Sequence, residues 1–310
     1  MRILLLGGTG FIGSRVVAPL LLAGHEVAVV HRGEHPVPSG SVSLLADCRE
    51  SGSLGAAVAT FDPETLVDLI AYSVTDVDRL LAALSGQLRR LTLISSADVY
   101  AAYGAFLGQE PPAQGAGPAP ESGALRRGRY PYRTRAPSPD DVLHDYDKIL
   151  VEERYRDRSP VPVTTLRLPM VYGPGDPHHR VAAEITRLRD APGGLLELHP
   201  DEAAWRCTRG YVDDVAAAIA LATTHPKALG RTYNVGEPDA LTTCEWLAAI
   251  AQAIESPTVI RESPIAAPSL TANWTVSVVS ATDRIRRELR YVEPVGRVDA
   301  VRRTARSAPA

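Results

Sequence analysis

The sequence predicts an α/β fold, a doubly wound parallel sheet with a smaller C-terminal substrate lobe. Three observations predict it. An apolar run (Ile3 to Leu6), a glycine loop, a helix-period segment and a second apolar run (Glu26 to His31) fill about thirty residues, the pattern of a βαβ unit. Short apolar runs then alternate with helical periodicity as far as Ser95. The chain has 310 residues, enough for one large α/β domain or a dinucleotide domain with a lobe.

Each element follows from local pattern. Ile3 to Leu6 reads as a strand buried on both faces. Its apolar run is too short for a leader, and no later segment approaches the ~20 apolar residues of a membrane span. Phe11 to Ala23 reads as a helix stopped by Gly24. Val42 to Ala46, Leu66 to Ala71 and Leu91 to Ser95 read as strands. Asp76 to Leu84 reads as a helix with Leu80, Leu81 and Leu84 on one side. From Tyr103 to Pro139 the chain is rich in Gly, Pro, Ala and Arg. That excursion reads either as a partly mobile lid over the mouth of the sheet or as an insertion without function. Ser138 as N-cap, Pro139 at the first position and acids behind it start a helix running to about Asp157. Val163 to Leu168 is the next strand, followed by the turn Val171 to Asp176. Helices over Val212 to Ala222, Cys244 to Ile254 and Thr282 to Leu289, with a strand over Arg231 to Val235, build the rest, and the tail after Arg302 is expected to fray. The expected division is 1–170 for the dinucleotide domain, with the excursion at 103–139, and 171–310 for the lobe, part of 211–240 returning to the first domain.

Composition narrows the function. Hydrophobic residues make up 45% and charged residues 22%, as in an ordinary globular chain. The net charge is -3 with no like-charge run, so neither nucleic acid nor an anionic membrane is expected as a partner. Cys48, Cys207 and Cys244 form no C-x-x-C, which suggests reduced thiols in a cytoplasmic protein. His178 and His179 are adjacent with no third ligand spaced for them, so no metal is expected.

The loop Gly7-Gly8-Thr9-Gly10-Phe11-Ile12-Gly13 carries the chemistry. A tight strand-to-helix turn needs backbone angles that glycine adopts cheaply. A missing side chain at the middle glycine lets the backbone approach a pyrophosphate, and the helix N-terminus favours its charge. The second strand ends His31-Arg32-Gly33, with no acid at its tip. Arg32 can pair with a 2′-phosphate, which favours NADP over NAD, although Glu34 stands close by.

These residues resemble the extended short-chain dehydrogenase/reductase family, the NAD-dependent epimerase/dehydratase group. The resemblance implies an extended Rossmann-type fold. Residues 7–13 match the family's cofactor loop. Asp47 falls where the adenine is held, and Ala71 and Tyr72 fall where the backbone passes the cofactor ribose. Ser95-Ser96-Ala97-Asp98-Val99-Tyr100 matches a segment whose second serine, here Ser96, is catalytic. Pro169, Met170 and Val171 match the turn beside the nicotinamide, and Arg209 to Val215 matches a segment of the sugar-binding lobe. The cofactor set so implied is Gly7, Thr9, Gly10, Phe11, Ile12, Gly13, Arg32, Asp47, Ala71, Tyr72, Ser95, Lys148, Pro169, Met170 and Val171. The substrate set is Ser96, Tyr100, Tyr172, Arg180, Arg209 and Tyr211. A homodimer through the helix bearing Lys148 is a further implication. His-Arg-Gly after the second strand is similar to the chloroplast stem-loop-binding branch, whose members are not all redox enzymes.

One departure matters. The family carries Tyr-x-x-x-Lys, in which the lysine lowers the tyrosine pKa for proton transfer. Lys148 fits the lysine, but His144 stands four residues before it and Tyr146 two before. On one continuous helix, residues four apart share a face, whereas residues two apart point about 200° away from each other. That geometry favours His144 as acid/base, with Ser96 orienting the substrate and Lys148 holding the cofactor ribose. Tyr146 is the alternate acid on a core stripe. The expected function is an NAD(P)-dependent oxidoreductase or epimerase acting on a hydroxyl or carbonyl of a small polar substrate. The alternatives are a cofactor holder that has lost redox chemistry, serving as a non-redox isomerase, dehydratase, lyase or sensor, and, more weakly, an RNA-binding protein. Arg126, Arg127, Arg129, Arg133 and Arg135 either grip an acidic substrate or lie in a solvated loop.

Overall fold

The computed structural model describes residues 1–84, 86–112 and 117–307. The first half holds β1 (Arg2–Leu6), α1 (Gly13–Leu22), β2 (Glu26–His31), β3 (Val42–Leu45), α2 (Ser51–Phe61), β4 (Thr65–Asp68), α3 (Val74–Ala83), β5 (Arg90–Ser96) and α4 (Ala101–Phe106). Then come α5 (Val142–Asp145), α6 (Lys148–Arg158), β6 (Val163–Leu168), β7 (Met170–Tyr172), α7 (Arg180–Arg189), β8 (Leu195–Leu198) and α8 (Pro200–Ala204). The last stretch holds β9 (Arg209–Tyr211), α9 (Val212–Thr224), β10 (Thr232–Asn234), α10 (Thr243–Ala253), β11 (Val259–Glu262), α11 (Asp283–Leu289) and α12 (Arg297–Ser307).

Seven strands form one parallel sheet in the order β10-β6-β5-β4-β1-β2-β3. Its central strands are apolar on both faces because helices cover both. Leu4, Leu6, Val30, Leu66 and Leu93 belong to the core beneath α2, α3 and α6. Leu5, Val29, Val67, Ile94 and Leu166 belong to the core that includes α1, α9 and much of the C-terminal lobe. The strand order reverses between β1 and β4. A crevice opens there, beyond the carboxyl ends of the strands, where such sheets bind ligands. Two small parallel pairs, β8 with β11 and β7 with β9, belong to the later part of the chain.

Several sequence expectations shift. The strand expected over Leu66 to Ala71 ends at Asp68, because the Asp68 carboxylate accepts from the amides of Ile70 and Ala71 and turns the chain. The glycine-rich segment at 51–61 is helical as α2, with Leu54, Val58 and Phe61 buried, although it lacks a polar face. The tail does not fray at Arg302, since α12 continues to Ser307 and buries Ala300, Val301 and Thr304; the last three residues of the tail lie outside the described ones. The excursion at 103–139 includes 113–116, also outside the described residues. Elsewhere it is pinned, with Leu125 bridged to Tyr100 and Ala119 to Ser280.

Helix α3 begins with a reciprocal cap: the Asp76 amide donates to Ser73 Oγ, and the Ser73 amide donates to the Asp76 carboxylate at 2.9 Å. Replacing Ser73 by Ala is expected to cost about 1 kcal/mol and to lower the thermal midpoint by about 2 °C, read in a melting curve.

Candidate functional site

A cleft of about 790 Å³ lies at the sheet's switch point. The loop after β1, the tip of β2, Asp47 to Arg49, the loop after β4, the end of β5 and the turn after β6 line it. Gly7, Thr9, Gly10, Phe11, Ile12, Gly13, Arg32, Asp47, Ala71, Tyr72, Ser95, Ser96, Lys148, Pro169, Val171 and Arg180 all line this one cleft. Met170 is half-exposed beside it and is not among the lining residues.

The cleft fits a dinucleotide on its own geometry. Gly7 has φ +82°, and a side chain there would collide with Ile70. A Cβ on Gly13 would collide with the Gly7 carbonyl oxygen. A Cβ on Gly10 would meet only that oxygen, at 3.4 Å, so the cradle stays open at its centre. No side chain caps α1 at Ile12; the Ser14 and Arg15 amides donate to the Gly10 and Ile12 carbonyls, and those of Phe11 and Ile12 are left for an anion. At the far rim the Arg32 guanidinium donates to Glu34 at 2.7 Å. Asp47 is tied to Arg49 through both carboxylate oxygens, and these bonds pull its carboxyl down to about 2. Burial and the Asp68 charge push the Cys48 thiol up to about 12, so it stays protonated on the cleft wall.

The catalytic end differs from the sequence expectation. The helix expected from Asp140 to Asp157 is two helices. Tyr146 (ψ 119°) and Asp147 (φ -158°) are extended between α5 and α6, and Asp147 caps α6 by accepting from the Ile149 amide. A helix face cannot be carried across that break, so His144 and Lys148 do not share one. His144 instead pairs with its neighbour Asp145 at 2.9 Å, its carbonyl accepts from Arg133, and it does not line the cleft. The shared helix face that favoured His144 is therefore absent from this structure.

Tyr146 packs against a ring of the cleft wall, although it too is not among the lining residues. Its ring stacks on Tyr72 at 5.9 Å, and its hydroxyl donates to Asp98 Oδ2 at 2.8 Å with Ser96 as a further polar neighbour. Burial and the Asp98 charge drive its phenol well above the ordinary range. Lys148 is buried; its ammonium donates to the carbonyls of Ala71 and Ile94 at 2.7 and 2.9 Å and sits 4.8 Å from the centre of the Tyr72 ring. Desolvation lowers the Lys148 pKa, against the pull of Asp68 and Asp98. Ser95, also on the cleft wall, donates through Oγ to Glu152 at 2.5 Å, and Glu152 pairs with Arg167.

Four expected substrate residues do not line the cleft. Tyr100 is buried; its hydroxyl donates to Asn234 and accepts from Arg167. Tyr172 is buried and donates to Glu237, while Tyr211 packs against the Tyr172 ring. Arg209 lies under Trp246, 4.6 Å from the ring centre, and donates weakly to the carbonyls of Cys207 and Leu241. Arg126 leaves the expected basic grip, for it is buried beneath the site and donates to the carbonyls of Asp98 and Gly128.

Sequence reasoning missed Asp98 and Tyr132, and it put Arg126 in the lid rather than beneath the site. Asp98 occupies a variable position of its motif, and only tertiary packing brings Tyr132 to it. The break before Lys148 did leave a signal, because Asp147 followed by Lys-Ile-Leu-Val is itself a helix start. Among the described residues, no helix is long and apolar enough to cross a membrane, and no group of three His, Cys, Asp or Glu could hold a metal ion.

The family model of the NAD dependent epimerase/dehydratase family matches residues 3–122 and 144–236. The 2'-dehydrokanamycin reductase of Streptomyces kanamyceticus is 27% identical over 236 residues, 74% of this chain and 60% of that one. A bifunctional pinoresinol-lariciresinol reductase of Linum corymbulosum is 35% identical over 85 residues, 27% of this chain and 26% of its own. The chain thus spans less than two thirds of the length of either curated relative. The structure of the Thermus thermophilus UDP-glucose 4-epimerase in complex with NAD has a TM-score of 0.69 at 26% identity, covering 99% of this chain and 98% of that one. The Thermotoga maritima UDP-glucose 4-epimerase with UDP-glucose has a TM-score of 0.72 at 19% identity over 99% and 98%, a likeness of fold alone.

Proposed function

Since the chain belongs to the NAD-dependent epimerase/dehydratase family, we propose that it is an NAD(P)-dependent oxidoreductase or epimerase acting on a secondary hydroxyl or carbonyl of a small polar substrate, such as a nucleotide sugar or a secondary metabolite. The observation that carries this reading is the stacking of Tyr146 on Tyr72, a ring that lines the cleft together with Ser96 and Lys148, while Tyr146 itself is not among the lining residues. The nicotinamide, when bound, supplies a hydride donor or acceptor. The chain's own residues handle the rest. The amides of Phe11 and Ile12 would hold the pyrophosphate, and Lys148 would meet the cofactor ribose. Ser96 orients the substrate oxygen. Tyr146, kept as a neutral phenol by its surroundings, is a proton donor at rest, which suits carbonyl reduction.

The test is a substrate panel. The chain is incubated with reduced cofactor and carbonyl compounds, and with oxidised cofactor and nucleotide sugars or secondary alcohols, while the nicotinamide absorbance is followed. A change with at least one partner is expected. Tight cofactor binding with no change and no epimerised product across the panel would favour the non-redox or sensor reading instead.

NADP is the proposed preference. Arg32 is the cation at the β2 tip, and a 2′-phosphate would take over the place of Glu34. Arg32→Ala is expected to weaken NADP binding about tenfold, roughly 1.4 kcal/mol, with a much smaller effect on NAD. Equal losses for both cofactors in a binding titration would reverse the preference drawn from Arg32.

A further inference from the structure

Beneath Tyr146 lies a buried polar group that the scheme above does not use. Asp98 is 5% exposed and stands just past the end of β5. Its Oδ2 accepts from Tyr146 at 2.8 Å and from Tyr132 at 3.1 Å. The Tyr132 hydroxyl lies 2.9 Å from the Tyr103 hydroxyl. Each phenol has one hydrogen. With the Tyr132 hydrogen given to Asp98, Tyr103 donates to Tyr132, and the four groups form one directed chain. Asp98 is the buried link of this chain, and Tyr103, Tyr132 and Tyr146 are each partly buried. Beside it, Arg126 donates through Nε to the Asp98 carbonyl and pairs through Nη2 with Asp147 Oδ1 at 3.6 Å.

We propose that Asp98, Tyr132 and Tyr103 form a proton conduit serving Tyr146, an inference that rests on the reading of Tyr146 given above. During reduction, the Tyr146 O–H bond breaks as an O–H bond forms on the substrate oxygen, and the electron pair of the new C–H bond comes from the reduced nicotinamide. Tyr146 recovers a proton from the acid form of Asp98, Asp98 is recharged through Tyr132 from Tyr103, and Tyr103 takes one proton from solvent water. During oxidation, every transfer reverses: the substrate hydroxyl proton goes to Tyr146 as the phenol proton goes to the Asp98 carboxylate. Asp98 acts through Tyr146 and is a positioning and proton-holding residue. The charged and titratable groups facing it are Arg126, Lys148, Tyr146 and Tyr132. All four favour the carboxylate, yet burial outweighs them and raises its pKa above the ordinary range, as a proton-holding group requires.

Infrared difference spectra of the whole chain, recorded across pH without added cofactor, test this. Asp68, Glu184 and Asp214 also titrate above the usual carboxylate range, so the wild-type chain should show several carboxylic-acid bands there, of which one is missing in Asp98→Asn. Tyr146→Phe and Tyr132→Phe each remove a hydrogen bond to the carboxylate, so each should move the midpoint of that band up by about one unit. Should Asp98→Asn fail to fold, the two Phe variants identify the band by themselves. An Asp98→Asn chain that keeps every band, or a midpoint that moves in neither Phe variant, overturns the conduit. The reading of Tyr146 is judged separately, by turnover of Tyr146→Phe. Lost turnover with an unmoved midpoint removes the conduit alone.

Discussion

Tyr146→Phe is expected to lower kcat by about 10²–10⁴-fold, the usual share of a positioned acid or base, and to leave cofactor affinity nearly unchanged. The substitution removes one oxygen from a ring packed on Tyr72 and Tyr132. The stacking survives, so lost packing would not explain lost turnover. His144→Ala is the paired measurement. His144 is bound to Asp145 outside the cleft lining, and its replacement should keep kcat within about twofold. The opposite pattern, an inactive His144→Ala beside an active Tyr146→Phe, would restore the histidine. Both variants are read on whichever substrate the panel yields, with cofactor binding followed by nicotinamide fluorescence.

The second large effect is expected at Gly13. A methyl group there collides with the carbonyl oxygen of Gly7 and comes within 2.9 Å of the Gly8 Cα, all of it backbone that cannot rotate away. The loop must open, and the loop is the pyrophosphate cradle. Gly13→Ala should weaken dinucleotide binding at least about 100-fold, roughly 2.7 kcal/mol, and cost about 1–3 kcal/mol of stability by overpacking. Gly10→Ala separates the two consequences. Its methyl has only one neighbour, at 3.4 Å, so it should impair binding while the melting temperature holds. Equal dinucleotide affinity in wild type, Gly10→Ala and Gly13→Ala would mean that the cofactor does not lie on this loop.

The doubly wound sheet was legible because its signals are local. Each buried strand is a run of apolar residues, and the loop after β1 announces its turn through glycine. The cleft's cofactor side was legible for the same reason, since its residues sit at strand ends whose order the alternation dictates. The reactive end was not. A period of 3.6 residues holds only while the helix does, and the chain is extended at Tyr146 and Asp147. Counting four back from Lys148 therefore lands on a side chain that shares no helix face with it. Tyr100, Tyr172 and Tyr211 were misplaced for another reason: a motif tells which residues recur, not whether Asn234, Glu237 or a neighbouring ring has already engaged them. Asp98 and Tyr132 are 34 positions apart, a pairing that no local pattern encodes.

The joint before α6 also makes the reactive end modular. Lys148 is anchored from behind, by the cap on Asp147 and the body of its helix. Tyr146 is delivered from the front, at the end of a short segment that Arg133 ties to Asp145. A rigid rod would make any change to one group drag the other with it. Here the segment carrying the tyrosine can be lengthened, shortened or exchanged by recombination while the lysine keeps its seat. For anyone redesigning the substrate range, residues 133–146 are thus the replaceable cartridge, and α6 is the chassis to leave alone.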